Sequence, residues 1–367
     1  MRVLFFMGVY LPRPGGVPRN THNMVMALRE MGVDIRVFAP HEAGDQGLEL
    51  PYRVYRYHRP PVKRLFTRIH LLKLLAIKRS WPFELIHCHG IDPAAYCASF
   101  FKSIAKTAYI VTPRRTNIFK KERHFLHKRR NLRSRKGLVE ADRVTALSSE
   151  IARIVTECGV RPDRIVRIPH GIDPAPFKTA RPALMDRPYI LALGRLVAFK
   201  GFDLLIDAFK MVAERFPEVD LVIAGSGPKE EELKRQVECL GLSGRVILPG
   251  RVEGEEKLSL YKGASMFVLP SRPGNEGFPN VILEAMAAGL PVVATRVSGA
   301  EDIVIPGRTG YIVPPGDKGG LADAMGRLLA NPDLMTRKEI LSALEPYHHE
   351  RIMKRYLDLY EELIRKP

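Results

Sequence analysis

MFVLPSRPGNEGFPNVILEAMAAGLPVVA, residues 266–294, holds one full repeat of the alternation from which the whole chain is built. Met266–Leu269 and Val292–Ala294 are apolar runs of strand length, and the stretch between them is a loop followed by a helix. Pro279 lacks an N–H and is tolerated only in a helix's first turn, so the helix begins near Pro279 or Asn280. Glu276 then lies in the preceding loop, and Glu284 sits about one turn inside the helix. On one continuous helix these two carboxylates would mark a solvated face; Gly277 and Pro279 argue against that. Gly277, Phe278, Pro279 and Asn280 instead form a turn at a helix N-terminus, where backbone N–H groups suit phosphate or hydroxyl ligands.

Working outward, the same alternation runs in both directions. Upstream lie Tyr189–Leu193, a helix over 202–216, Asp220–Ala224, a helix over 229–240, Val246–Leu248 and a helix over 255–263. The first half of the chain reads likewise. Arg2–Phe6 leads through a Gly/Pro-rich loop to a helix over 19–31. Val33–Ala39, Leu85–Cys88, Tyr109–Val111 and Val144–Leu147 are strands, separated by helices that include one from Pro93, a long basic one before Val144, and one starting at Ser148 or Ser149. Strands alternating with helices predict parallel, doubly wound sheets. Pro169, Pro174, Pro176, Pro182 and Pro188 give the stretch between the halves the composition of a linker. The expected organisation is an α/β chain with a basic domain at 1–170, a second domain at 171–345, and a helix at 346–367. That helix carries an apolar stripe of Ile352, Met353, Tyr356, Leu357, Tyr360 and Leu363 and packs back on the first domain.

At 367 residues the chain exceeds one ordinary hydrophobic core. No apolar run reaches the ~18 residues that span a bilayer, and Met1 to Phe6 reads as a strand leading into a glycine-bearing loop, so a cytoplasmic protein is expected. Cys88, Cys97, Cys158 and Cys239 are scattered without a Cys-x-x-Cys pair, which fits a reducing compartment and gives no zinc signature. The net charge of +18 is uneven: residues 1–180 hold 33 Lys+Arg against 14 Asp+Glu, and residues 181–367 hold 25 against 26. A basic half implies an anionic partner, or else a charged face kept for solubility. Arg53 to Arg79 contains nine basic residues and no acid, with Val62, Leu65, Phe66, Ile69, Leu72, Leu75 and Ala76 at helical spacing. Such a helix lies on an anionic membrane, or packs its stripe on the sheet and leaves its charges in water.

In the second half every strand end carries something polar or flexible: Gly194-Arg195 and Lys200-Gly201, Gly225-Ser226-Gly227-Pro228, Gly250-Arg251, and Ser271 to Glu276. Ligands of doubly wound sheets bind at these carboxyl ends. Arg195 and Lys200 are fixed positive charges of the kind that stabilises a departing diphosphate.

Together with Pro249-Gly250-Arg251-Val252 and the Glu284-Ala-Met-Ala-Ala-Gly-Leu-Pro run, these motifs resemble the signature series of the family 4 retaining glycosyltransferases. The likeness is specific over 189–316 and looser over the first domain, where Gly15-Gly16 and Ile86-His87-Cys88-His89-Gly90 correspond. It implies the GT-B fold, two facing Rossmann-like domains with a cleft between them. It also implies that Arg195 and Lys200 hold the diphosphate of a UDP- or GDP-linked sugar, that Glu276 contacts sugar hydroxyls and that Glu284 binds the ribose. Gly277, Phe278, Pro279 and Asn280 would line the sugar site. Gly16 and Gly225 would lie along the donor, and Arg251 and Val252 would border the base. Such enzymes need no metal, and the chain has no Asp-x-Asp sequence.

Two features depart from the family pattern. Thr112-Pro113 is followed by Arg114-Arg115 where a histidine is common, which points to Arg114 and Arg115 as binders of an anionic acceptor group. The spacing from Ser271 to Glu276 is longer than the family pattern. His89 is a candidate contact to acceptor or donor, or a structural hydrogen bonder. The expected function is a hexosyl- or N-acetylhexosaminyltransferase using front-side, retaining transfer to a lipid-linked or surface-glycan acceptor, peripheral at the inner membrane face. The alternatives are a catalytically silent nucleotide- or nucleic-acid-binding protein and a sugar-nucleotide epimerase. The basic stretches lack the interleaved aromatics that stack bases, so no nucleic-acid partner is expected.

Overall fold

The computed structural model describes residues 1–13, 15–45, 47–58, 63–113 and 132–365, and of residues 63–66 the backbone only. The chain divides into two compact units, Met1–Pro169 with Glu350–Pro367, and His170–His349.

The first unit runs β1 (Arg2–Met7), α1 (Gly16–Glu30), β2 (Asp34–Pro40), β3 (Val54–Tyr57), α2 (Lys63–Ser80), β4 (Leu85–His89), α3 (Tyr96–Ala105), β5 (Ala108–Thr112), α4 (Leu132–Val139), β6 (Arg143–Ala146), α5 (Ser149–Glu157) and β7 (Ile165–Arg167). Its seven strands form one parallel sheet in the order β3-β2-β1-β4-β5-β6-β7. All five residues of β4 are buried, as expected of a strand covered on both faces. Ser148 caps α5 by accepting from the Ile151 N–H at 3.2 Å. The C-terminal helix (His349–Arg365) buries Ile352, Met353, Tyr356, Leu359, Tyr360 and Leu363 in the core built on β1 and β2. Leu357 of the anticipated stripe is only partly buried, and Leu359 fills the core position.

Two sequence expectations change here, and a third falls largely outside the described residues. Residues 54–57 of the basic stretch form the edge strand β3, and the helix starts only at Lys63. The helix expected from Pro93 begins as a wide turn over Ile91–Ala95 and becomes α-helical at Tyr96. Of the long basic helix only α4 falls on described residues; Arg114 and Arg115 lie outside them.

The second unit runs α6 (Ala175–Thr179), β8 (Tyr189–Leu193), α7 (Phe202–Arg215), β9 (Asp220–Ala224), α8 (Glu230–Cys239), β10 (Val246–Ile247), α9 (Gly254–Gly263), β11 (Met266–Leu269), α10 (Asn280–Ala287), β12 (Val292–Thr295), α11 (Ala300–Ile303), β13 (Gly310–Val313), α12 (Lys318–Ala330) and α13 (Arg337–Leu344). Its six strands are parallel in the order β10-β9-β8-β11-β12-β13. The proline-rich stretch is part of this unit and not a bare linker. Pro174 and Pro176 lie at the start of α6, where a fixed φ favours the first turn, and Phe177 is buried against the Tyr261 ring at 5.9 Å.

Strand order reverses between β1 and β4 in the first unit and between β8 and β11 in the second. Those are the switch points at which open α/β sheets bind ligands.

Candidate functional site

At the second unit's switch point three loops meet backbone to backbone. The Gly194 N–H donates to Ala224 O at 3.0 Å, Leu196 N–H to Ser226 O at 2.9 Å, and Gly225 N–H to Gly250 O at 2.7 Å. A Cβ on Gly225 would lie 1.8 Å from Gly194 O, one on Gly227 2.4 Å from Leu196 O, and one on Gly201 2.1 Å from Pro270 O. Only glycine permits that approach. The glycines of the sequence motifs thus bring the loops after β8, β9, β10 and β11 together.

Onto this base converge the charged side chains. Lys200 Nζ donates to Glu276 Oε1 at 2.6 Å, and Ser271 Oγ donates to the same oxygen at 2.8 Å. Both charged side chains are largely enclosed, 14% and 10% exposed, so their attraction is little screened. Thr295 Oγ1 lies 2.5 Å from Ser271 O and 3.2 Å from Leu269 O, tying the loop back to β11. Arg195 stays outside this pair: it is exposed, with its guanidinium 5.9 Å from the Phe199 ring centre. Arg272, in the Ser271–Glu276 loop, forms a two-pronged pair with Asp203 at 2.8 and 2.5 Å and also donates to Ala198 O. Burial raises the Asp203 carboxyl, but the Arg272 hydrogen bonds and charge outweigh it and hold it below the ordinary aspartate value.

Helix α10 begins at Asn280, as the proline predicts, with Glu276 in the loop and Glu284 in the helix. Ser298 Oγ donates to Gly277 O at 3.2 Å, and His170 Nδ1 lies 2.7 Å from Asn280 Oδ1. Phe278 is buried, facing the His170 ring at 5.6 Å, and so contributes backbone rather than a side-chain wall. Pro279 is buried as well. Glu284 is held on both oxygens: Lys257 Nζ donates to Oε1 at 2.6 Å and Tyr261 OH to Oε2 at 2.9 Å. Arg251 is exposed and donates to Glu253 at 2.8 Å, while Val252 is buried.

In the first unit His89 ends β4, buried between the Phe5 ring at 4.9 Å and the His87 ring at 4.2 Å. Gly16 opens α1 and is exposed; among the described residues a Cβ there would meet nothing within 4 Å. Among the described residues no group of three or more His, Cys, Asp or Glu could hold a metal ion.

The model of glycosyl transferases group 1 matches residues 176–340, and that of glycosyltransferase family 4 matches residues 14–176. The chain belongs to this glycosyltransferase family. The structure is similar to that of Anabaena HepE in complex with UDP, with a TM-score of 0.82 at 20% identity over 99% of this chain and 100% of that one, and thereby has the GT-B fold. A GDP-mannose-dependent α-(1-6)-phosphatidylinositol monomannoside mannosyltransferase of Mycolicibacterium smegmatis is 37% identical over 45% of this chain and 47% of its own length. The α-D-kanosaminyltransferase of Streptomyces kanamyceticus is 38% identical over 43% and 40%. The matches thus span about half the length of these curated relatives.

Sequence reasoning missed what holds the charged side chains in place. Ser271 and Thr295 fall inside the motifs but had no role assigned there, and Lys257 and Tyr261 are found only through their partners. It also missed a buried chain in the first unit. His87 Nδ1 lies 2.6 Å from Tyr360 OH of the C-terminal helix, His87 Nε2 lies 2.7 Å from Thr112 Oγ1, and Thr112 meets Thr145. Burial pushes the Tyr360 hydroxyl well above its usual value, so it stays protonated within this chain.

Proposed function

We propose that the chain is a retaining hexosyl- or N-acetylhexosaminyltransferase that moves a sugar from a UDP- or GDP-linked donor to a hydroxyl of a lipid-linked or surface-glycan acceptor. The observation that carries the reading is the pairing at the second unit's switch point. There the Lys200–Glu276 pair lies under the glycine loops, and Glu284 is held on both oxygens further along α10. Donor diphosphate takes Lys200 as its counterion, with exposed Arg195 as the second cation. Glu276, still held by Ser271, then accepts from sugar hydroxyls, and Glu284 accepts from the ribose. Gly16 and His89 are the first unit's candidate contacts, and Arg114 with Arg115 are candidates for an anionic acceptor group.

In front-side transfer the bond from the anomeric carbon to the leaving phosphate oxygen breaks. The bond to the acceptor oxygen forms on the same face, and the acceptor's proton passes to the leaving diphosphate. The protein's part is charge and alignment: the two cations stabilise negative charge as it grows on the diphosphate. No side chain is required as nucleophile.

A peripheral site at the inner membrane face is supported by α2, whose Ile69, Leu72 and Leu75 are exposed between Arg68 and Arg79. No helix among the described residues is long and apolar enough to cross a membrane. A lipid-linked acceptor is further supported by the name of the mycobacterial relative, which acts on a phosphatidylinositol mannoside. Incubation with a panel of nucleotide sugars, with and without membrane extract, tests the reading through nucleotide release. Release from one donor that rises with extract is expected; no release from any donor in the presence of extract would overturn it.

A further inference from the structure

We infer that Lys257 and Tyr261 are positioning residues that fix the Glu284 carboxylate for the ribose diol of a nucleoside diphosphate, and so set this chain's preference for ribose over deoxyribose nucleotides. The inference rests on the proposed donor role of Glu284. Lys257 and Tyr261 are four residues apart on α9 and therefore share one face of that helix. Both reach the same carboxylate on α10, one donor to each oxygen, at 2.6 and 2.9 Å.

Tyr261 is suited to hold and not to react. It is fully buried, and its ring sits against Phe177 at 5.9 Å and Phe267 at 5.6 Å. Burial first, and then the Glu284 charge and hydrogen bond, push its hydroxyl well above the usual tyrosine value, so it remains a donor. Its other neighbour, Val281 O, lies at 3.5 Å, so Glu284 is the nearer acceptor. An ionised carboxylate offers about four acceptor directions, and these two donors occupy two of them. The remaining two, one on each oxygen, match a pair of adjacent hydroxyls. The carboxylate is also reachable, since Glu284 is 17% and Lys257 23% exposed. A carboxylate already locked in one orientation loses less rotamer freedom on binding, and the gain is spent on ligands that carry both hydroxyls.

Calorimetry on the full chain with UDP and 2′,3′-dideoxy-UDP, and with GDP and 2′,3′-dideoxy-GDP, tests the inference in wild type, Tyr261→Phe, Lys257→Met and Glu284→Ala. For the base that binds, wild type is expected to favour the ribose form at least about tenfold, the weight of a hydrogen bond to a charged acceptor. Tyr261→Phe keeps the ring packing and Lys257→Met the aliphatic stem. In each the ratio should fall by about threefold or more through weaker binding of the ribose form, with the dideoxy form changed by less than about twofold. If Glu284→Ala abolishes the preference while both positioning variants keep it, or weaken both ligands equally, the positioning inference fails and the ribose reading stands. If Glu284→Ala retains the full preference, or wild type binds neither UDP nor GDP, the ribose reading fails and takes the inference with it. Should Tyr261→Phe not fold, the Lys257→Met ratio decides alone.

Discussion

Glu276 is the acidic residue on which the second unit's loops converge, held on one oxygen by a cation and a hydroxyl from separate strand ends. If it accepts from the donor sugar, Glu276→Ala should cut turnover by about 10²–10³-fold, as loss of one aligned electrostatic contact does, while the fold survives. Nucleotide release under single-donor conditions measures this, and wild-type turnover in the variant would remove Glu276 from the site. Gly16 offers a separate test, because among the described residues nothing lies within 4 Å of a methyl group there. Gly16→Ala should leave thermal stability unchanged or raise it by about 0.4–1 kcal/mol, while weakening donor use if the backbone approaches a phosphate. An unaltered KM and kcat would place Gly16 outside the donor's reach. Glu276, Lys200 and Glu284 were legible in sequence because charged residues beside Gly and Pro at strand ends are unusual in combination. The holding roles of Ser271 and Tyr261 were not, because a hydroxyl that holds a distant carboxylate leaves no periodic trace.

Loops of this unit are joined by Arg272, which grips Asp203 in the first turn of α7 and the Ala198 carbonyl of the loop after β8. The segment before Glu276 is thus tied to the helix and loop that flank Lys200. Asp203 has a lowered carboxyl value when folded, so the pair contributes stability wherever aspartate is ionised in the unfolded chain and loses it as pH falls through the folded value. The Tm difference between wild type and Asp203→Asn should therefore be full at neutral pH and close as pH falls below the ordinary aspartate range. A gap independent of pH would show that the carboxylate's charge contributes nothing. At this scale the alternation of strand and helix was read correctly where strands are central and continuously apolar. Of the edge strands, β10 was read but β3, β7 and β13 were not: β3 interposes Arg56 between its tyrosines, and β7 is three residues long. The proline count suggested a linker over 169–188, but prolines at the start of a helix are pre-organising, and buried Phe177 draws that stretch into the second unit's core.

Across the whole molecule, charge and apolar exposure coincide. Residues 1–180 carry 33 basic against 14 acidic side chains, and within that half α2 turns Leu72 outward at 69% exposure, with Ile69 and Leu75 beside it. The opposite face of α2 already buries His70, Leu74 and Ile77, so the outward residues are surplus to the core. A solvated helix kept for solubility needs no leucine at that position. An interfacial helix does, since each cation near an anionic surface contributes about 1 kcal/mol and a fully buried leucine about 1.5–3 kcal/mol. The electrostatic part weakens with salt and the apolar part does not. Leu72→Asp should accordingly lose most of its sedimentation with vesicles containing anionic lipid, both at low salt and at salt high enough to screen the arginines, without a change in Tm. Wild type should lose only part of its binding over the same salt range. If Leu72→Asp sediments with vesicles as wild type does, the apolar face of α2 is not what meets the lipid, and the charge asymmetry alone must account for any membrane association.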